Sequence, residues 1–244
     1  MKTILVTGDS RGVGLNIVSK FLKNGFRVIG ISRKSSAEVR SLIDKYGNDK
    51  FIHINYDLDN VDGIKDLYKN QLKPLTLESG IYCFINNAAK AYDDIITNLN
   101  TERLKSMFRV NVYSPMMLTK YVIRDMLLHK TKGNIIHISS ISAHTGYKGL
   151  AMYASTKGAL EAFSKNTARE WGTLGIRSNI VCPGFMDTEM SSSLTDDQKF
   201  RVFNRNSMKK ALSIDSVAKG VFYLATSGEY GVTGQILHVD NGTI

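Results

Sequence analysis

Apolar residues along the chain fall into two alternating patterns. Short runs rich in Ile and Val occur at Thr3–Thr7, Phe26–Ser32, Phe51–Tyr56, Ile81–Asn86, Asn134–Ser140, Ile176–Cys182 and Gln235–Val239. Their length and β-branched content fit strands buried on both faces. Between the first two runs, Val13, Ile17, Val18, Phe21 and Leu22 recur at helical spacing, and Asn24-Gly25 provides a stop. Further helices are predicted at 36–46, 60–73, 101–130, 151–174, 189–205 and 214–227. Strands alternating with helices imply right-handed crossovers, hence a doubly wound α/β fold with a parallel seven-stranded sheet covered on both faces. No repeat, low-complexity segment or linker interrupts the pattern, so residues 1–244 read as a single domain.

In such a sheet, ligands bind beyond the carboxyl ends of the strands. The first strand runs into Thr7-Gly8-Asp9-Ser10-Arg11-Gly12-Val13-Gly14 and then a helix. Glycines permit a tight turn and close backbone approach, and the helix start offers unpaired N–H donors with a positive dipole end, which suits a pyrophosphate. The second strand ends at Ser32-Arg33-Lys34, where a dinucleotide specific for an unphosphorylated ribose would meet a carboxylate. Hydroxyl and cations suit a 2′-phosphate instead, with Arg11 as a third cation, so NADP(H) is the expected cofactor. Asp57-Leu58, after the third strand, is placed to receive the adenine. Asn86-Asn87-Ala88-Ala89, after the fourth, combines amides that tie strands together with small residues that let the cofactor approach.

The fifth strand leads through Ser139-Ser140 to Tyr153-Ala-Ser-Thr-Lys157 at the start of a helix. Residues at i and i+4 share a helix face, about 6 Å apart along the axis. A phenol titrating near 10 is a poor acid–base catalyst at neutral pH, and a neighbouring ammonium is expected to lower it. A serine hydroxyl at the strand end could hydrogen-bond a substrate oxygen. Asn111, a polar amide inside a long helical pattern, calls for a water or backbone partner.

Thr7-Gly8-x-x-x-Gly12-x-Gly14, Asn86-Asn87-Ala88, Asn111, Ser140, Tyr153-x-x-x-Lys157 and Pro183-Gly184 together resemble the short-chain dehydrogenase/reductase motifs in order and spacing, over essentially the whole chain. The resemblance implies a Rossmann domain in which Tyr153 is the general acid for ketone reduction. It implies that Lys157 lowers the tyrosine pKa and binds the nicotinamide ribose, that Ser140 orients the carbonyl, and that Asn111 holds a relay water. Ser140 is preferred to Ser139 because the family serine stands thirteen residues before the tyrosine. Cofactor contacts are implied at Gly8, Ser10, Arg11, Gly12, Val13, Gly14, Ser32, Arg33, Asp57, Leu58, Asn87, Ala88, Ala89, Tyr153, Lys157, Pro183, Gly184 and Thr188.

Within the family, Gly8–Gly12, Pro183–Met190, Leu194–Gln198 and Thr233–Gly242 resemble the 3-oxoacyl-[acyl-carrier-protein] reductases. This implies an acyl thioester substrate, an acidic carrier protein as partner, and a homotetramer. Sugar, polyol or specialised-metabolite ketoreductases form the alternative, and an NADP-sensing protein without activity is a remote one. The chain departs from the reductase pattern at Ala89, at Asn206–Leu212, and at Thr131 and Leu174, where carrier-gripping arginines are common. Lys130 and Lys132 stand nearby. The segment 186–212 reads as a lid over the substrate.

Composition narrows the partners. Lys and Arg exceed Asp and Glu by 32 to 22, giving a formal net charge of +10. That field attracts phosphates and acidic proteins. The cations are scattered without interleaved aromatics or a recognition motif, so no nucleic-acid partner is expected. No apolar run approaches the roughly 18 residues of a membrane span, and Met1–Thr7 reads as a strand rather than a leader, so a cytoplasmic protein is expected. Cys83 and Cys182 lie in apolar runs as buried thiols, and no metal site is expected.

Overall fold

The structure, a computed structural model, describes residues 1–187, 195–227 and 231–244. The strands are β1 (Thr3–Thr7), β2 (Arg27–Ser32), β3 (Phe51–Asn55), β4 (Ile81–Asn86), β5 (Asn134–Ile138), β6 (Arg177–Pro183) and β7 (Ile236–Val239). They form one sheet in the order β3-β2-β1-β4-β5-β6-β7, and every neighbouring pair is parallel. The order reverses between β1 and β4, which opens a crevice at the carboxyl ends of those two strands.

The pleat divides the apolar residues between two cores. Ile4 and Val6 of β1 face one way, into a core with Ile17, Val18 and Phe21 of α1 (Gly12–Lys23). α2 (Ala37–Tyr46) contributes Val39 to the same side, and α9 (Ile214–Thr226) contributes Val217 and Val221. Leu5 faces the other way, towards Leu118, Val122 and Met126 of α6 (Ser114–Leu128). The remaining helices of the described residues are α3 (Ile64–Leu67), α4 (Lys73–Thr76), α5 (Thr101–Phe108), α7 (Ala151–Trp171) and α8 (Asp196–Phe203). α8 opens with a capping box between Thr195 and Gln198.

Two expected helices are broken, and both breaks precede a proline. The pattern read as 60–73 is instead α3, a π-turn at Tyr68–Leu72, and α4. The pattern read as 101–130 is α5, a π-turn at Arg109–Tyr113, and α6. Pro74 and Pro115 have no N–H for the carbonyl four residues back, so the ladder widens there. β5 stops at Ile138 rather than Ser140: Ser139 N–H still donates to the Val181 carbonyl, and Ser140 then caps the short 3₁₀ turn Ile141–Ala143. α7 ends at Trp171, followed by a 3₁₀ turn to Leu174. The helix expected at 189–205 begins, among the described residues, at Asp196.

Candidate active site

The glycine loop is built by contacts that exclude side chains. A Cβ at Gly14 would lie 1.9 Å from the Gly8 carbonyl oxygen, and one at Gly8 would lie 2.9 Å from Ala88 Cα. Gly12 is different: its φ is +55, yet among the described residues nothing lies within 4 Å of its Cβ position. Its glycine is therefore required by conformation, and the space beside it is open. The first turn of α1 contains no acidic residue, and its N-cap residue makes no side-chain capping hydrogen bond among the described residues. The structure thus presents an open helix N-terminus beside a left-handed glycine, a cradle that fits a diphosphate. Ser10 is half-buried in the turn and Val13 packs against the core, while Arg11 is exposed at the helix start.

Thr7 joins this loop to the end of β4. Its hydroxyl accepts from the backbone N–H groups of Asn87 and Ala88, each at 3.1 Å. The Asn87 amide donates back to the carbonyls of Thr7 and Gly8 at 3.0 and 3.1 Å. Asn87, Ala88 and Ala89 are therefore held against the loop across the crevice. Ser32 is half-buried and donates to the Lys34 carbonyl, while Arg33 is exposed beyond it. Asp57 is exposed beside an open groove lined also by Asp59, Arg109 and Tyr113, and Leu58 beneath it is buried. Gly184 hydrogen-bonds the Val239 carbonyl, and a Cβ there would meet Asp240 Cα at 2.7 Å, so Pro183-Gly184 is packed tightly against the end of β7. Thr188 lies outside the described residues.

On the far side of the crevice, α7 presents Tyr153 and Lys157 on one face. The ammonium lies 5.5 Å from the centroid of the phenol ring and donates to the Ile138 carbonyl at 2.8 Å, at the end of β5. Burial pulls the Lys157 pKa down to about 8, although Cys182 and Glu161 oppose this. Burial, with Asp93 and Cys182, holds the Tyr153 phenol above its ordinary value. This departs from the expected lowering of the tyrosine pKa: loss of water around the phenol, with the negative charge facing it, holds the proton on. The consequence is a protonated phenol at neutral pH, the form that a general acid requires.

The two serines at the end of β5 point to different partners. Ser139 is buried and its hydroxyl donates to the Glu161 carboxylate. Ser140 is half-buried, and its oxygen accepts from the Ser142 N–H and hydroxyl at 3.2 and 3.0 Å, leaving its own proton to be aimed elsewhere. Asn111 sits in the π-turn, fully buried. Its side chain accepts from the Lys90 N–H at 2.8 Å and donates to the Lys90 carbonyl and the Thr156 hydroxyl at 2.9 and 3.1 Å. Both amide protons are thus committed. Its main-chain carbonyl lacks the usual i+4 donor, because that residue is Pro115.

Sequence reasoning did not assign Thr7, Lys90, Thr156 or Glu161, which hold the assigned residues in place. It also missed Asp9, which is fully buried in the loop and meets His53 Nδ1 at 2.7 Å. Gly30 makes room for this pair: a Cβ there would lie 1.9 Å from Asp9 Oδ2. A glycine inside an otherwise apolar buried strand was the available signal.

Residues 2–199 match the family described as short chain dehydrogenase. The chain is 32% identical over 241 residues to the 3-oxoacyl-[acyl-carrier-protein] reductase FabG of Buchnera aphidicola, covering 99% of this chain and 96% of that one. It is 32% identical over 244 residues to the enzyme of the same name from Escherichia coli, with the same coverage. The fold is similar to that of ElxO with NADP bound, with a TM-score of 0.88 and 27% identity over 99% of this chain and 98% of the other. A tyrosine-to-phenylalanine variant of ElxO with NADPH bound gives 0.86 and 26%, again over 99% and 98%. The match across the glycine loop, the Tyr153–Lys157 face and the full sheet places this chain in the short-chain dehydrogenase/reductase family of oxidoreductases.

Proposed function

We propose that the protein reduces a ketone to a secondary alcohol with NADPH, with a 3-oxoacyl thioester carried on an acyl carrier protein as its substrate. The observation that carries the reading is the Tyr153–Lys157 face of α7, fixed to the end of β5 across a crevice from the glycine loop. Gly8, Gly12 and Gly14 with the N-terminus of α1 would hold the pyrophosphate, and Ser32, Arg33 and Arg11 the 2′-phosphate. Asp57 and Leu58 would receive the adenine, and Asn87–Ala89, Pro183, Gly184 and Thr188 would flank the nicotinamide half. When bound, the reduced nicotinamide supplies the hydride for the carbonyl carbon.

The chain's own groups supply the proton. Ser140 donates a hydrogen bond to the carbonyl oxygen, and Tyr153 O–H transfers its proton to that oxygen as the C=O bond becomes C–OH. Lys157, charged below about 8, stabilises the phenolate left behind. A water on the Asn111 carbonyl returns a proton by way of Lys157. ElxO, with NADP or NADPH bound, and the FabG relatives support this reading of cofactor and reaction class. Cytoplasmic location and a homotetramer belong to the same proposal. Among the described residues, no helix is long and apolar enough to cross a membrane.

A second substrate class is favoured by one observation. Lys130 and Lys132 precede β5, at the opposite end of the sheet from Tyr153, so a grip of theirs on a carrier would have to serve the site of another subunit of the tetramer. A free ketone, such as a sugar or a specialised metabolite, needs no such grip. A panel of NADPH-dependent reductions compares a 3-oxoacyl carrier conjugate, the same acyl group on a small thiol, and an open-chain keto sugar. A kcat/KM for the carrier conjugate at least about tenfold above the small thioester supports carrier recognition. Turnover of the keto sugar alone transfers the protein to the second class.

A further inference from the structure

Behind the catalytic serine lies a cluster that the reduction does not use. His144 Nε2, a Glu161 carboxylate oxygen and Cys182 Sγ all lie within 4.8 Å of one another. His144 Nε2 is 3.0 Å from Glu161 Oε1, the same oxygen that receives the Ser139 hydroxyl. Cys182 is fully buried and Glu161 nearly so, whereas the His144 side chain is 26% exposed and gives the cluster an opening to solvent. His238 stands on β7 in register with Cys182, and its ring meets that of His144 edge-on with centroids 4.9 Å apart. These donors come from the turn after β5, from α7, from β6 and from β7, so no sequence spacing announces them.

We propose that this cluster is a binding site for a zinc-class divalent cation, with His144, Glu161 and Cys182 as ligands and His238 able to supply the fourth by a side-chain rotation. A thiolate, a carboxylate and imidazole nitrogens form a borderline-soft set that selects zinc, or cobalt in its place, over magnesium or calcium. Two of the ligands carry the charge that neutralises a divalent ion. Cys182 enters as its thiolate: the S–H bond breaks, the S–metal bond forms, and one proton goes to solvent. Because that proton must leave before sulfur can ligate, metal and proton compete for the same atom. Apart from the ligands, the charged or titratable groups facing the thiol among the described residues are Asp240, at the end of β7, Lys157, one helical turn before Glu161, and Tyr153, one turn earlier still. An ion here would take Glu161 from Ser139 and His144, and would anchor the turn that begins at Ser140 and ends at His144.

The test uses the full chain and cobalt(II), whose spectrum reports thiolate ligation and tetrahedral geometry without reference to any substrate. Expected is a single equivalent bound, with a sulfur-to-cobalt charge-transfer band that zinc displaces and magnesium does not. Cys182→Ala should abolish the band, and His144→Asn should weaken binding by at least about tenfold. NADPH binding and circular dichroism verify that each variant is folded. Absence of a thiolate band in the native chain overturns the proposal, as does a band and affinity unchanged in both folded variants. Because the readout is spectroscopic, failure of the ketone-reduction reading leaves this test intact.

Discussion

At the residue scale, the ionisable groups of the site make separable predictions. Lys157 is charged below about 8 and neutral above it, so the rate of ketone reduction should fall as pH rises through that value. The pH profile of kcat checks this, and a flat rate to pH 9.5 would contradict the role given to the ammonium. His53 behaves in another way. Burial alone would lower its pKa, but the hydrogen bond and charge of Asp9 outweigh burial and raise it above the ordinary 6.5. A histidine raised in the folded state contributes stability that is complete below its unfolded value and lost as pH rises through its folded value. Urea denaturation at pH 6 and pH 9 should therefore show a decline that His53→Gln lacks. At the cofactor, Arg33→Ala should weaken NADPH binding by roughly 10–100-fold, the scale of one charge-assisted hydrogen bond, and leave NADH nearly unchanged.

At the element scale, the strands and the shared face of Tyr153 and Lys157 on α7 were legible because each follows from local pattern: apolar runs for the sheet, and i, i+4 spacing for the pair. The π-turn at Asn111 was not, although Pro115 was the sign of it. A proline in the first turn of a helix usually marks its start, and here it marks a widened turn inside a longer one. Glu161 was equally hidden, since its partners Ser139 and His144 come from another element. The Asp9–His53 pair spans three strands through the gap left by Gly30, a juxtaposition that only the sheet register creates. The same applies to Asp125 on α6. It is fully buried, and its carboxylate accepts from Thr76 Oγ1 at 2.8 Å, from the Ile81 N–H at 2.6 Å and from Tyr68 Oη at 3.3 Å. Asp125→Ala would strand these donors, and a loss of about 3 kcal/mol in denaturant unfolding is expected.

At the scale of the whole molecule, the sheet order brings the glycine loop, the end of β4 and the Tyr153–Lys157 face together around the crevice where the strand order reverses. The two ends of the sheet therefore differ in role. The carboxyl end carries the glycine loop, Ser140, Tyr153 and Lys157, while the amino end carries Lys130 and Lys132 in turns outside the crevice. The net charge of +10 supplies a general attraction for phosphates, so NADPH association should slow as salt is added. The proton-donor role of Tyr153 in a nicotinamide-dependent ketone reduction carries the proposed function. It is tested most directly by following NADPH oxidation with a short 3-oxoacyl thioester in the native chain and in Tyr153→Phe, with NADPH binding titrated in both. Expected are native turnover, a loss of roughly 10²–10⁴-fold in kcat for the variant, and equal NADPH affinity. A variant that binds NADPH and turns over at the native rate would contradict it.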